Sequence, residues 1–404
     1  MFILESTKEN KRTGVIKTKK GEIKTPFFMP DATRGFVRSI DNKILEDLGL
    51  EAILINTYHL FLNPGMKIIK KAGDAHDFMN WEKPLLSDSG GYQVFSLIHK
   101  NPRLGKITDK EVIFHSPIDG TKYILTPEKA IQIQFDLGVD MMVCLDDPPP
   151  NNYSKEKITQ AVERTIQWAK RCKMEYERQI KKRKISGKNK PLIFGVIQGG
   201  KYLDLRRHCA EELVKIGFDG YGFGARHIDM DGNFMEEVVR ETASFIPENA
   251  LRFALGVGKP EDIVKCYNYG WDMFDCVIPT REGRHGRLFL RKSNFQFPTC
   301  LAGRQVSNFQ SSSNDQIFND KKIQKIKHKS EDVSFYETIN INNGKFKNDF
   351  SQIDKNCDCY LCKNHTRAYL HHLFSSKEVL GMRLAAIHNL KFYVDLMAGL
   401  RKNI

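Results

Sequence analysis

Eight short apolar runs recur along the first 277 residues, separated by longer stretches of helical periodicity, and this alternation constrains the fold more than any other feature. The runs fall at 27–29, 52–56, 85–87, 140–145, 192–197, 220–223, 253–256 and 273–277. Amphipathic helices are expected between them, at 127–137, 155–181, 203–216 and 235–245. Strands that are apolar throughout and alternate with helices imply a parallel sheet covered on both faces. Eight such units in about 250 residues fit a closed (β/α)8 barrel of the α/β class better than an open sheet. A hairpin over 13–30, turning at Lys20-Gly21, precedes the barrel.

This register gives the polar residues an order. Asp88, Asp146, Gln198, Gly222 and Asp275 each stand at the C-terminal end of an expected strand. In a (β/α)8 barrel those ends share one mouth, where active sites are built. One such residue alone would read as a turn or helix cap, whereas five in matching positions point to a site.

Beyond Gly286 the pattern breaks, which divides the chain into a catalytic barrel (1–286), a polar insertion expected to be partly disordered (287–335) and a C-terminal lobe (336–404). The stretch 305–332 is rich in Ser, Asn, Gln and Lys, with little to bury. Two short strands, 337–341 and 345–350, are expected to flank Asn342-Asn343-Gly344, followed by helices from Arg367 and over 379–400.

Six of the nine cysteines are scattered, but Cys357, Cys359 and Cys362 crowd together, with His388 following after 25 residues. Three thiolates and an imidazole close a tetrahedron, the geometry of structural zinc, which leaves no position for a substrate. His365, His371 and His372 are nearer alternatives for the fourth ligand. Scattered thiols with one tight cluster suit a reducing compartment, so a cytoplasmic protein is expected. No apolar run is long enough to span a bilayer, and no membrane association is expected.

The formal charge is +14, and from Arg281 onward 21 basic side chains face 11 acidic ones, so +10 of it lies in the last third. A basic lobe on a near-balanced body suggests a polyanionic partner, nucleic acid first.

Four motifs carry chemistry: Asp88-Ser89-Gly90-Gly91-Tyr92-Gln93, Asp146-Asp147-Pro148, Gln198-Gly199-Gly200, and Asp272-Met273-Phe274-Asp275 running on to Thr280-Arg281 and Arg284. Carboxylates from several strand ends can pair across a mouth for acid–base or nucleophilic work at an acetal-like carbon. Glycines after Ser89 and Gln198 would let a planar base approach the backbone.

With the Cys-x-Cys-x2-Cys…His spacing, these motifs closely resemble the tRNA-guanine transglycosylase (queuine tRNA-ribosyltransferase) family over 2–286 and 336–402, in the shorter form without the archaeal RNA-binding domain. The resemblance implies exchange of the wobble guanine of tRNA for a 7-deazaguanine, either queuine or its aminomethyl precursor. Asp275 would be the nucleophile and Asp88 the general acid/base. Asp146, Gln198 and Ser89 would read the base edge, Tyr92 and Leu255 would sandwich the base, and Gly222 and Gly224 would leave room for its 7-substituent. Arg281 and Arg284 would bind the anticodon loop beside the target. The resemblance also implies one structural Zn2+ per chain and a homodimer contacting near Tyr369 and His372. A non-catalytic tRNA-binding paralogue and a relative acting on DNA are the alternatives; the presence of both Asp88 and Asp275 argues against the first.

Three features depart from the common bacterial pattern: Gly224-Ala225-Arg226-His227-Ile228-Asp229-Met230 after the sixth strand, Pro148 after the paired acids, and the 305–332 segment. Met230 stands where a glutamate would be expected, so Asp229 or Asp231 could replace it only if the loop folds over the pocket. The Asp146-Asp147-Pro148 run is nearer to queuine-using relatives, so queuine is the expected incoming base.

Overall fold

The computed structural model describes residues 1–292 and 335–402. Eight parallel strands form the central sheet among them: Phe27–Pro30, Ile53–Asn56, Leu85–Asp88, Met141–Val143, Leu192–Ile197, Gly220–Phe223, Leu251–Ala254 and Met273–Cys276. From the second strand on, each pairs with its neighbour in sequence, and the last pairs with the first. The first and second strands meet through a parallel bridge between Asp31 and Leu54, which closes the barrel.

Period-two alternation divides the core. Met29, Leu54, Leu86, Val143, Phe194 and Val196 point into the barrel lumen. Their neighbours Phe28, Ile53, Ile55, Leu85, Met142 and Ile193 pack outward against the helices. The expected hairpin forms from Lys11–Thr18 and Gly21–Thr25, and Phe2–Lys8 adds a third strand. Ile16 and Ile23 join the luminal cluster.

Helices follow the strands where the apolar spacing places them: Pro127–Leu137, Lys155–Lys182, Leu203–Ile216 and Glu236–Ser244. Thr126 caps the first of these, its side chain accepting from the Lys129 N–H, with Pro127 in the first turn and left-handed Gly138 at the end. Between the third and fourth strands lies an antiparallel sheet of Gly105–Ile107, Val112–His115 and Lys122–Leu125.

The C-terminal region differs from expectation in one respect. Tyr336–Asn340 pairs with Arg287–Arg291 and not with 345–350. Gly344–Phe346 is instead a 3-10 turn, capped by Asn343 accepting from the Lys345 N–H. The Arg287–Arg291 strand offers an edge packed on the closing helix, with Phe289 against Phe392 and Tyr393. That helix, Val379–Arg401, lies on Ile278–Arg284, the helix after the last barrel strand. Asn389 fastens the two regions by donating to Pro279 and Arg287 carbonyls at 3.0 and 2.9 Å. The 305–332 stretch lies outside the described residues. No helix among the described residues is long and apolar enough to cross a membrane.

Candidate active site and metal centre

A cavity of about 670 Å³ opens at the C-terminal ends of the barrel strands. Asp88, Ser89, Tyr92, Asp146, Leu255 and Asp275 line it, as do Gly224 and Arg281. The strand-end rule therefore brings together residues scattered over two hundred positions.

Asp88 ends the third strand. The Asn56 amide donates to Oδ2, while the Thr57 and Gly90 N–H groups reach Oδ1 at 3.2 and 3.0 Å. Gln93 approaches Oδ2 at 3.4 Å. The Gly90 bond needs a left-handed residue (φ 76°), and a Cβ there would meet the Tyr58 backbone nitrogen at 2.8 Å. Glycine at this position thus serves the chain's own packing, not base approach. Asp275 ends the eighth strand and accepts from the Gly256 N–H at 2.8 Å. Burial raises the pKa of each carboxyl to about 7, and the charge of Asp31 pushes both in the same direction.

Asp146 is buried and receives the Gln198 Nε2 amide at 2.7 Å, and burial lifts its pKa to about 7 as well. Gln198 is fully buried behind it, and its Oε1 has no hydrogen-bond partner among the described residues. The pair can present an acceptor and an amide to the edge of a planar heterocycle. Tyr92 is 56% exposed and lines the cavity, as does the apolar Leu255. An added Cβ would strike Leu255 Cδ1 at 2.3 Å from Gly222 and Gln198 Nε2 at 2.4 Å from Gly224. These glycines therefore admit recognition side chains in the unliganded chain.

Arg284 does not line this cavity. It borders an adjoining depression with Arg34, Phe36, Arg38 and His59. Its Nη1 has no hydrogen-bond partner among the described residues, and burial together with the nearby Arg38 lowers its pKa.

The loop after the sixth strand does not fold over the cavity through its acids. It forms a small hairpin bridged at Ile228 and Phe234. Asp229 is spent on that turn, accepting from the Asp231 and Asn233 N–H groups at 2.9 and 2.8 Å. The cavity wall here is Ala225 to Ile228, and Met230 stays 69% exposed outside it. His227 lies 3.5 Å from the Asp262 carboxylate.

Sequence reasoning missed Asp31 and Asn56, although both follow the rule that found the others. Asn56 closes the second strand, and Asp31 immediately follows the first. Both line the cavity. Gln93 was visible only as part of a motif, and its orientation needs the helix Gly91–Lys100.

In the C-terminal lobe, the ligand atoms of Cys357, Cys359, Cys362 and His388 all lie within 4.8 Å of one another. His388 Nδ1 stands 3.5 and 3.3 Å from the sulfurs of Cys359 and Cys362. A tetrahedral centre with Zn–S and Zn–N bonds of ordinary length has such edges of about 3.5 Å. The other ring nitrogen, Nε2, donates to the Phe289 carbonyl at 2.8 Å, which leaves the Nδ1 lone pair facing the thiols. His371 is engaged elsewhere, Nδ1 against the Ile341 carbonyl at 2.7 Å. The donor set fits a closed, structural metal.

The family model for queuine tRNA-ribosyltransferase matches residues 7–404. The chain belongs to the queuine tRNA-ribosyltransferase family. This is a family of pentosyltransferase enzymes. Relatives bearing that name include the protein of Halothermothrix orenii, 40% identical over 96% of this chain and 89% of its own. The Pseudoalteromonas atlantica protein is 40% identical over 100% and 93%, and that of Francisella tularensis subsp. novicida 40% over 98% and 92%. The matched lengths take in both the barrel and the lobe of this queuine tRNA-ribosyltransferase family member.

Proposed function

We propose that this chain exchanges the wobble guanine of tRNA for a 7-deazaguanine through a covalent ester between Asp275 and the ribose. One observation carries the reading: two half-buried carboxyls with pKa raised to about 7, Asp88 and Asp275, line the same cavity as Asp146, which the buried Gln198 amide backs.

In the first half-reaction the ionised Asp275 carboxylate attacks C1′ of the target guanosine. The C1′–N9 bond breaks, and guanine departs with a proton from Asp88. In the second, Asp88 takes the N9 proton of the incoming base, whose nitrogen attacks C1′ and expels Asp275. Two displacements retain the anomeric configuration and give ping-pong kinetics. A pKa near 7 suits Asp88 to both proton transfers at neutral pH.

The target base must leave the anticodon-loop stack, and Tyr92 and Leu255 offer it two apolar faces. Asp146 accepts from the base N1–H and exocyclic amine, with Ser89 beside it, while Gln198 donates to O6. Arg281 and Arg284 hold flanking phosphates or bases. Queuine is the preferred incoming base. The wall after the sixth strand offers no carboxylate for a compact ammonium, and the open cavity has room for a cyclopentenediol beyond Gly224. One zinc ion held by Cys357, Cys359, Cys362 and His388 supplies structural cross-linking of the lobe and takes no part in the chemistry. The enzyme works as a homodimer, with Tyr369 and His372 near the contact.

The test is exchange of labelled guanine into undermodified tRNA with no other cofactor, with a DNA hairpin of the same loop sequence alongside. Incorporation into tRNA alone supports the reading; incorporation into DNA alone, or into neither, refutes it. Competition between queuine and the aminomethyl base then decides the base preference, which a higher kcat/KM for the aminomethyl base would overturn.

A further inference from the structure

Two arginines are buried among the described residues, and they are treated differently. Arg12, at the barrel bottom, is paired with Asp272 at 2.9 Å. Arg206, fully buried near the mouth, has no ion pair with a carboxylate among the described residues. Burying a lone guanidinium is costly unless hydrogen bonds compensate. Here the compensation comes from three backbone carbonyls: Gly200 to Nε at 2.7 Å, Ile197 to Nη1 at 3.2 Å and Gly224 to Nη2 at 3.1 Å. The guanidinium also lies 3.9 Å from the centre of the Phe223 ring.

The positions of those carbonyls are informative. Ile197 immediately precedes Gln198 and Gly200 follows two residues later, so the guanidinium grips the chain on both sides of the base-reading amide. Gly224 belongs to the neighbouring strand end, and a Cβ on it would meet the Nε2 of that same amide at 2.4 Å. Gly199 has φ 146°, and a Cβ on it would meet Arg206 at 2.6 Å, so this turn is shaped around the arginine. One turn further along the helix Leu203–Ile216, Cys209 receives the Gln198 N–H at 3.4 Å. A flat fork of fixed donors can span three carbonyls of two loops at once, whereas a lysine's three donors radiate from one nitrogen.

We propose that Arg206 is a positioning residue for base recognition, acting through Gln198 and Gly224 without touching the substrate. This rests on the transglycosylase reading above, in which Gln198 meets the base.

The test measures base exchange by the full-length enzyme with Arg206→Lys, Gln198→Ala and the double variant. Arg206→Lys should raise the KM for guanine about ten-fold, with kcat and the KM for tRNA changed less than about three-fold. In the Gln198→Ala background the same change should move the guanine KM less than about two-fold, because the residue through which it acts is gone. Equal effects in both backgrounds, or a parallel loss in kcat and tRNA affinity, would overturn the proposal. Phe223→Leu removes the ring beneath the guanidinium and leaves its three carbonyls. Should Arg206→Lys not fold, a rise of about three-fold in guanine KM is expected of Phe223→Leu, abolished by Gln198→Ala, and an unchanged KM overturns the proposal. A wild-type enzyme that exchanges no guanine refutes the underlying reading instead, so the two failures are distinguishable.

Discussion

The barrel mouth and the C-terminal lobe each gather partly or fully buried ionisable side chains, but they arrange them oppositely. In the mouth, Asp88, Asp146 and Asp275 are held by neutral amides and backbone N–H groups, and face an open cavity. In the lobe, three thiols and an imidazole face one another, and the remaining ring nitrogen is tied to a carbonyl. The first arrangement leaves reactive groups in want of a partner, and the second uses every donor on a shared centre. The proposed chemistry draws on the open set, and the closed set suits a structural metal.

The largest effect separating the two regions should come from Asp275→Asn. An amide cannot form the ester, so exchange should fall by at least about 10⁴-fold with thermal stability preserved. Steady-state exchange and a melting curve on the same preparation check this. Asp88→Asn should cost about 10²–10⁴-fold, the usual worth of a positioned acid–base group. An effect below ten-fold would assign the proton transfer elsewhere, with Asp31 the next carboxylate to test.

Cys359→Ser should act on the other region first. Metal analysis should show loss of bound zinc, and the fold should lose at least about 2 kcal/mol by denaturant titration. Activity should decline only indirectly, because the closing helix supports the helix bearing Arg281 and Arg284. Activity lost at full stability would give the lobe a chemical role and break the contrast.

The smallest effect concerns stability and pH. A carboxyl whose folded pKa is raised to about 7 binds a proton in the folded state that the unfolded chain has already released above pH 4. Its stabilising contribution is therefore full below the unfolded value and is lost as pH rises through the folded one. Asp146→Asn removes that liability and should raise the melting temperature by about 2–4 °C at pH 8 and by less at pH 5. A larger gain at pH 5 would reverse the sign and contradict the burial argument.

How much of this was legible in the sequence depends on the range over which each feature is set. Strand runs such as 192–197 and 220–223 match Leu192–Ile197 and Gly220–Phe223, because burial on both faces demands unbroken apolar sequence. The Cys357, Cys359 and Cys362 cluster was equally plain from spacing, and the structure sets His388 beside it over nearer histidines. The pairing of Tyr336–Asn340 was misread because a strand partner is chosen by tertiary packing, and Asn-Gly at 343–344 imitates a hairpin turn. Asp31 and Asn56 stood at strand ends but outside any motif. Arg206 carries no signal in the sequence, since nothing local shows that its side chain turns inward between two loops. Asp229 could be read as a pocket acid until the hairpin around it showed where its oxygens go.

The central claim is that Asp275 is the nucleophile, and peptide mapping of a trapped tRNA adduct tests it most directly. Wild-type enzyme mixed with a labelled anticodon stem-loop, without free base, should yield a denaturant-resistant band whose protease fragment carries the ribose on Asp275. Asp88→Asn should retain some adduct, and Asp275→Asn should show none. An adduct that persists in Asp275→Asn, or that maps to Asp31 or Asp88, would contradict the account.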